Sequence, residues 1–172
     1  MTTLTKLAFA LLATLLISAP LHAKDYSLAN GSVHFDAPDA WPAIMEKTNG
    51  NPQFYAFQIR NPDASGTLTR ITVTTRELQS PSDFDAFVQQ ELARARQSAG
   101  FSEAAGALAG EHTLHYHFDE DKHSQIVRLH LIQHGTHAVV LRCQRPRDAK
   151  ASRQWLADYR KGCADLARQL GN

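Results

Sequence analysis

Apolar and polar residues alternate along several segments of this chain, and that period of two is typical of β-strands with one buried face. Residues 53–60 and 68–75 are rich in aromatic and β-branched side chains, and the turn-forming stretch 61–67 between them predicts a hairpin. A shorter hairpin is predicted nearer the N-terminus, at residues 26–28 and 32–35, because Asn30-Gly31 is a typical type I′ turn sequence.

The C-terminal half predicts a three-stranded meander. A polar turn at residues 119–124 and a tight two-residue turn at His134-Gly135 separate its strands, which are predicted at residues 112–118, 125–133 and 136–143. The last two strands carry apolar residues on both faces, which indicates a sheet that is covered on both sides.

Two segments have helical spacing instead. Ser80 and Pro81 are suited to the N-cap and first position of a helix that stops before Gly100. A C-terminal helix is predicted at residues 151–170, where apolar side chains recur every three or four positions, namely Trp155, Tyr159, Cys163, Leu166 and Leu170. Two main helices flanking an antiparallel β-sheet predict an α+β fold of the α/β/α sandwich type.

The first 23 residues have the organisation of a secretory signal peptide. Lys6 precedes an uninterrupted apolar run at residues 7–17, Pro20 breaks that run, and Ala23 is the small residue that a signal peptidase requires. The run is shorter than the ~20 residues needed to span a bilayer. We therefore predict cleavage after Ala23, one α+β domain over residues 24–172, a periplasmic location and no transmembrane segment after cleavage. The alternative is a buried N-terminal helix.

Composition excludes several classes of protein. Hydrophobic residues make up 43% of the chain and the net charge is +1, values that are incompatible with a disordered chain or a strongly basic nucleic-acid-binding domain. The sequence contains no G-x-S-x-G motif, phosphate-binding loop or G-x-G-x-x-G motif. We therefore predict a protein that is not an enzyme and has no nucleic-acid partner.

The order of these elements resembles the PsbP-like and DcrB-like proteins. Residues 35–41 (FDAPDAW) are similar to the F-x-x-P-x-x-W opening of that superfamily, and Phe84, Phe87 and Gly100 match its helix with paired phenylalanines and a terminal glycine. Residues 108–110 match the short L-x-G element before the meander. The resemblance implies an α/β/α sandwich and an accessory, binding or assembly role, and it transfers no catalytic residue.

Seven of the nine histidines lie between His112 and His137. With turns at Asp121-Lys122 and His134-Gly135, His115 pairs with Arg128 and His130 with Val139, which aligns His115, His130 and His137 on one sheet face. That alignment predicts a zinc or copper site, since imidazole binds both metals. The alternatives are a run of cross-strand polar residues, with Arg128 opposing a bound cation, or a pH-sensing role.

Cys143 and Cys163 are the only cysteines, and both belong to the exported part of the chain. Cys143 shares a strand face with Val139 and Leu141, and Cys163 belongs to the apolar stripe of the last helix. If that helix covers that face, the two form a disulfide, as exported proteins readily do. Two free buried thiols, or a nucleophilic cysteine, are the alternatives.

Arg142, Arg145 and Arg147 form a basic cluster before the last helix. We predict that this cluster contacts an acidic protein partner, and the alternative is a solvated loop. The function that follows is a non-enzymatic periplasmic binding or accessory protein without a cofactor. In its most specific form it is an immunity protein that occludes a secreted toxin. The alternatives are a zinc- or copper-binding protein and a hydrolase with an unrecognised site.

Overall fold

The computed structural model describes residues 23–64, 66, 68–104 and 112–172. The predicted signal peptide lies outside these residues except for Ala23, and so does the L-x-G element at 108–110. The strands are β1 (Ala23–Leu28), β2 (Val33–Pro38), β3 (Ala43–Lys47), β4 (Gln53–Ile59), β5 (Thr69–Glu77), β6 (Ser102–Glu103), β7 (Thr113–Glu120), β8 (His123–His134) and β9 (His137–Pro146). The α-helices are α1 (Phe84–Arg96) and α2 (Arg153–Leu170).

Seven strands form one antiparallel sheet, and the N-terminal hairpin forms a separate one. The order in the large sheet is β3-β4-β5-β9-β8-β7-β6, so the predicted β4–β5 hairpin and the predicted meander of β7, β8 and β9 meet where β5 pairs with β9. In the N-terminal hairpin β1 pairs with β2, and four residues join them where a two-residue turn was predicted. Strands β3 and β6, at the two edges of the large sheet, were not predicted.

The helices cover opposite faces of the large sheet, which confirms the α+β sandwich. Helix α2 and the β1–β2 hairpin pack on one face, where Tyr159, Cys163, Leu166 and Leu170 are buried against alternate residues of β4, β5 and β9. Helix α1 packs on the other face through Phe84, Phe87, Val88 and Ala95. The pattern of β9 matches this arrangement, since Val139 and Leu141 enter the first core and Ala138 enters the second.

The start of α1 follows the local sequence signal. The Ser80 hydroxyl accepts from the Ser82 N–H, and the Asp83 carboxylate accepts from the Ser80 N–H at 2.9 Å. A single 3₁₀ turn, Pro81–Asp83, leads into the helix. The helix ends at Arg96, before Gly100, as predicted. Gly100 has φ +65° and its backbone lies against the Asp119 carboxylate, so any side chain at this position would collide with that group.

Two turns set the register of the meander. The turn at Asp121-Lys122 is confirmed, with His115 opposite Arg128. The next turn lies at Gly135-Thr136, one residue later than predicted, so Ile132 pairs with Val139 and His130 with Leu141. The reason is that Gly135, with φ +58°, occupies the first central position of the turn, where a left-handed conformation is needed. The predicted pairing of His130 with Val139 is therefore wrong by two residues.

The predicted Cys143–Cys163 disulfide is confirmed. It joins β9 to α2, with a Cα–Cα distance of 6.2 Å, and both cysteines are buried. The bond fastens the C-terminal helix to the centre of the sheet. In the part of the chain that the structure describes, no helix is long and apolar enough to cross a membrane.

Candidate functional site

A groove lies beside α1, on the half of the sheet face that this helix leaves uncovered. Helix α1 packs over β7, β8 and β9, while β3, β4 and β5 extend beyond it. The alternation of polar and apolar residues along β5 explains why this part of the sheet face is open. Its residues on the opposite face, Ile71 and Val73, are fully buried, whereas its groove-facing residues are polar, namely Arg70, Thr72, Thr74 and Arg76. The groove encloses about 490 Å³.

The rim of this groove is apolar. Ile44, Met45 and Leu68 are 42%, 60% and 40% exposed, and they are the large hydrophobic residues most exposed to solvent among those that the structure describes. All three line the same groove, and its inner wall is formed by Phe87 and Leu129. Isolated exposed hydrophobic residues are common on proteins, but a set of them around one concave surface indicates a binding site.

The floor of the groove is cationic, with four arginines and the carboxylate of Glu91. Arg94 pairs with Glu91, and Arg70 pairs with Glu120 at 2.6 Å. Arg76 and Arg142 form no ion pair with a described carboxylate, so they remain available to an anionic partner. The groove thus combines exposed apolar area with an excess of positive charge.

Aromatic rings hold the two uncompensated guanidinium groups in place. Arg142 donates to the Tyr116 hydroxyl at 2.7 Å and lies 5.9 Å from the centre of the Phe118 ring. Arg76 lies 5.8 Å from the centre of the Phe87 ring. Burial raises the pKa of Tyr116, so its hydroxyl is protonated at neutral pH. These contacts orient the charges without neutralising them.

The structure separates the predicted basic cluster. Strand β9 continues to Pro146, so Arg142 and Arg145 are strand residues and do not belong to a loop before α2. Arg142 faces the groove, whereas Arg145, three residues further along the strand, faces the side covered by α2. Arg147 follows the strand, and its N–H donates to the Ser124 carbonyl. One surface formed by all three arginines was a wrong expectation, because successive strand residues point to opposite faces.

The structure also separates the predicted metal ligands. His137 lies four residues along β9 from Leu141, the residue opposite His130, and at about 3.3 Å per residue this places the two histidines about 13 Å apart along the sheet. His115 lies beside the disulfide and His137 at the end of the sheet, opposite Glu77. Over the described ranges, no three His, Cys, Asp or Glu residues lie close enough together to hold a metal. The register error at the β8–β9 turn accounts for the wrong alignment.

His130 has a more specific environment than the other predicted ligands. Its Nδ1 lies 3.3 Å from the Thr113 hydroxyl, and its buried Nε2 has no hydrogen-bond partner in the part of the chain that the structure describes. Burial, together with the neighbouring Arg128, lowers its pKa from 6.5 to about 4. Burial and then Arg128 also lower the pKa of His115. Both imidazoles are therefore neutral at neutral pH.

Sequence reasoning missed most residues of the groove. Ile44 and Met45 belong to β3, a strand that was not predicted from the sequence. The alternation of β5, with arginine and threonine on one face and isoleucine and valine on the other, was the signal that one sheet face is not covered. Only Arg142 was identified in advance.

The chain matches no protein-family model in sequence. A comparison with curated proteins likewise gives no significant match. Its structure is similar to the crystal structure of the Saccharomyces cerevisiae Ran-binding protein Mog1p, with a TM-score of 0.50 and 11% identity over 88% of this chain and 97% of Mog1p. LpqN of Mycobacterium tuberculosis, described as involved in cell envelope biogenesis, aligns with a TM-score of 0.47 and 12% identity over 88% of this chain and 84% of LpqN. At this identity, the likeness to Mog1p concerns the fold.

Proposed function

We propose that this chain is a non-enzymatic accessory protein that binds a partner protein in the groove beside α1. The observation that carries the proposal is that Ile44, Met45 and Leu68, all partly exposed, line one concave surface together with uncompensated arginines. Mog1p, which has a similar fold, is a Ran-binding protein, so the fold is compatible with a protein partner. The groove accounts for binding without any catalytic group.

The chemistry of the groove specifies the kind of partner. Apolar side chains of the partner would cover Ile44 and Met45, and acidic side chains would pair with Arg76 and Arg142. An amphipathic segment that carries both kinds of residue on one face meets these requirements. Among the strands that the structure describes, β3 pairs only with β4, so its other edge has no described strand partner next to the rim of the groove.

We propose that binding takes place in the periplasm. The disulfide supports a compartment outside the cytoplasm, because such bonds persist in oxidising environments. The signal-like N-terminal segment supports export across the inner membrane. The most specific form of the proposal is an immunity protein whose partner is a secreted toxin.

Affinity capture with the mature chain from periplasmic extract and culture supernatant, followed by mass spectrometry, tests the proposal. We expect Met45→Asp to weaken capture of the partner by about tenfold or more, because it places a charge where an apolar contact is needed. Met45 is 60% exposed, so the melting temperature should not change. Identification of the captured protein decides whether it is a toxin.

Arg147→Glu is the matched control, since it changes an exposed charge outside the groove. It should leave capture intact. A partner that is lost with Arg147→Glu and retained with Met45→Asp would contradict the groove as the binding surface.

A further inference from the structure

A second cavity lies on the opposite face of the sheet, between α2 and the central strands. It encloses about 150 Å³ next to the Cys143–Cys163 disulfide. Three arginines from three different elements line it: Arg128 on β8, Arg145 on β9 and Arg160 on α2. His115 on β7 and Tyr159 on α2 complete the polar lining.

No described carboxylate compensates the positive charge of this cavity. Across the described ranges, none of the three arginines forms an ion pair with Asp or Glu, and Arg145 donates only to the neighbouring Pro146 carbonyl, at 3.1 Å. Burial is the largest cause of the lowered pKa of His115, and Arg128, Arg145 and Arg160 lower it further. Burial and Arg160 lower the pKa of Arg145 as well. Bringing like charges together in a partly buried space is unfavourable unless an anion binds there.

Tyr159 supplies an independent observation. Its side chain is only 7% exposed, and its ring stacks on Trp155 with a centroid distance of 5.5 Å. Its hydroxyl is buried and has no hydrogen-bond partner among the described residues. Burial raises the pKa of this hydroxyl, and the charged groups that act on it are Arg145 and Arg128. A protonated hydroxyl without an acceptor, beside arginines without an anion, is satisfied by an oxygen that carries negative charge.

We propose that this cavity binds an oxyanion of the phosphate type, either as the free ion or as the head group of a phosphomonoester. Arginines from three elements line this small volume, and a guanidinium group can donate two hydrogen bonds to neighbouring phosphate oxygens. The Tyr159 hydroxyl provides a further donor. A site of this kind also explains why Arg128, which disfavours a metal cation, lies among the histidines. The inference does not depend on the groove, which is on the other face of the sheet.

Isothermal titration calorimetry of the mature, oxidised protein at constant ionic strength tests the site. Inorganic phosphate and glycerol phosphate are titrated separately, and acetate is the reference anion. We expect saturable binding of both phosphates at one site and no saturation with acetate. Tighter binding of inorganic phosphate would identify a free ion as the ligand, and tighter binding of glycerol phosphate would identify an esterified head group. The absence of saturable binding for both would overturn the proposal.

Tyr159→Phe and Arg160→Gln are the informative variants. Each removes a donor to a charged ligand, and we expect each to weaken phosphate binding by about tenfold or more. Arg160 is exposed, so Arg160→Gln should fold normally. Arg153→Gln makes the same change of charge at an exposed position of the same helix and should bind phosphate like the wild type. Equal weakening by Arg153→Gln would show a general effect of net charge and refute the site.

Discussion

His130 should make the stability of this protein depend on pH between neutrality and pH 4. Its Nε2 is buried without an acceptor, and its Nδ1 faces the Thr113 hydroxyl. Protonation would place a charged N–H in a site with no acceptor and with Arg128 nearby. His130 therefore binds a proton less readily in the folded protein than in the unfolded chain.

The expected magnitude follows from the two pKa values. The unfolded chain binds the proton below about pH 6.5, whereas the folded protein binds it only below about pH 4. The contribution of neutral His130 to stability is fully present above about pH 6.5 and is lost as the pH falls towards 4. The full difference corresponds to about 3 kcal/mol. Because the ring is only partly buried, solvent screens some of this effect, and a loss of about 1–3 kcal/mol is expected.

Urea unfolding followed by circular dichroism, at pH 7.5 and at pH 4.5, measures this loss. His130→Gln retains a polar group near Thr113 but does not titrate, so its free energy of unfolding should fall less between the two pH values than that of the wild type. His123→Gln is the control, because His123 is exposed, and it should follow the wild type. The titratable groups that all three proteins share contribute equally to each, and their effects cancel in the comparison.

If His130→Gln loses as much stability as the wild type between pH 7.5 and 4.5, His130 is not the source of the pH dependence. That result would mean that His130 accepts a proton in the folded state at little cost. The same conclusion would follow if nuclear magnetic resonance showed the His130 ring titrating near pH 6.5 in the folded protein.

Two further predictions concern α2 and its attachment. The double variant Cys143→Ala/Cys163→Ala should be less stable by about 3 kcal/mol, because the bond closes a loop with a sequence separation of 20. Its melting temperature in calorimetry should be about 6–12 °C lower. An unchanged melting temperature would contradict this prediction. Gly162→Ala should destabilise the protein by about 1–3 kcal/mol in urea unfolding, although alanine favours a helix, because its Cβ would lie 2.4 Å from the Trp41 ring. Trp41→Ala should remove that penalty in the double variant, and a stabilising Gly162→Ala would count against the contact.

The secondary structure was predictable wherever one short segment contains the whole signal. The buried stripe of α2 is visible as a spacing of three and four residues, and the N-cap of α1 as Ser80-Pro81. Local patterns placed Cys143 and Cys163 each on the apolar face of its own element, and the packing of α2 on that face of β9 met the remaining condition for the disulfide. Local hydrogen bonds and the side-chain period of an element depend on neighbouring residues, so they can be recognised in the sequence.

The pairing register of the strands and the coverage of each sheet face depended on the tertiary structure. A one-residue difference in the β8–β9 turn moves every pairing by two residues, and this decides whether His130 lies opposite Val139 or Leu141. The alternation of β5 shows that one face is polar, but only the position of α1 decides that this face becomes a groove with Ile44 and Met45 at its rim.

The two candidate sites show the same division. The sequence shows that Arg142 and Arg145 are close in the chain and that Cys143 and Cys163 are the only two cysteines. Strand geometry then placed Arg142 in the groove and Arg145 in the cavity under α2, since the two side chains point to opposite faces. Arg128, Arg145 and Arg160 come from three elements that are distant in sequence, and only the packing of α2 on the sheet brings their charges together around Tyr159.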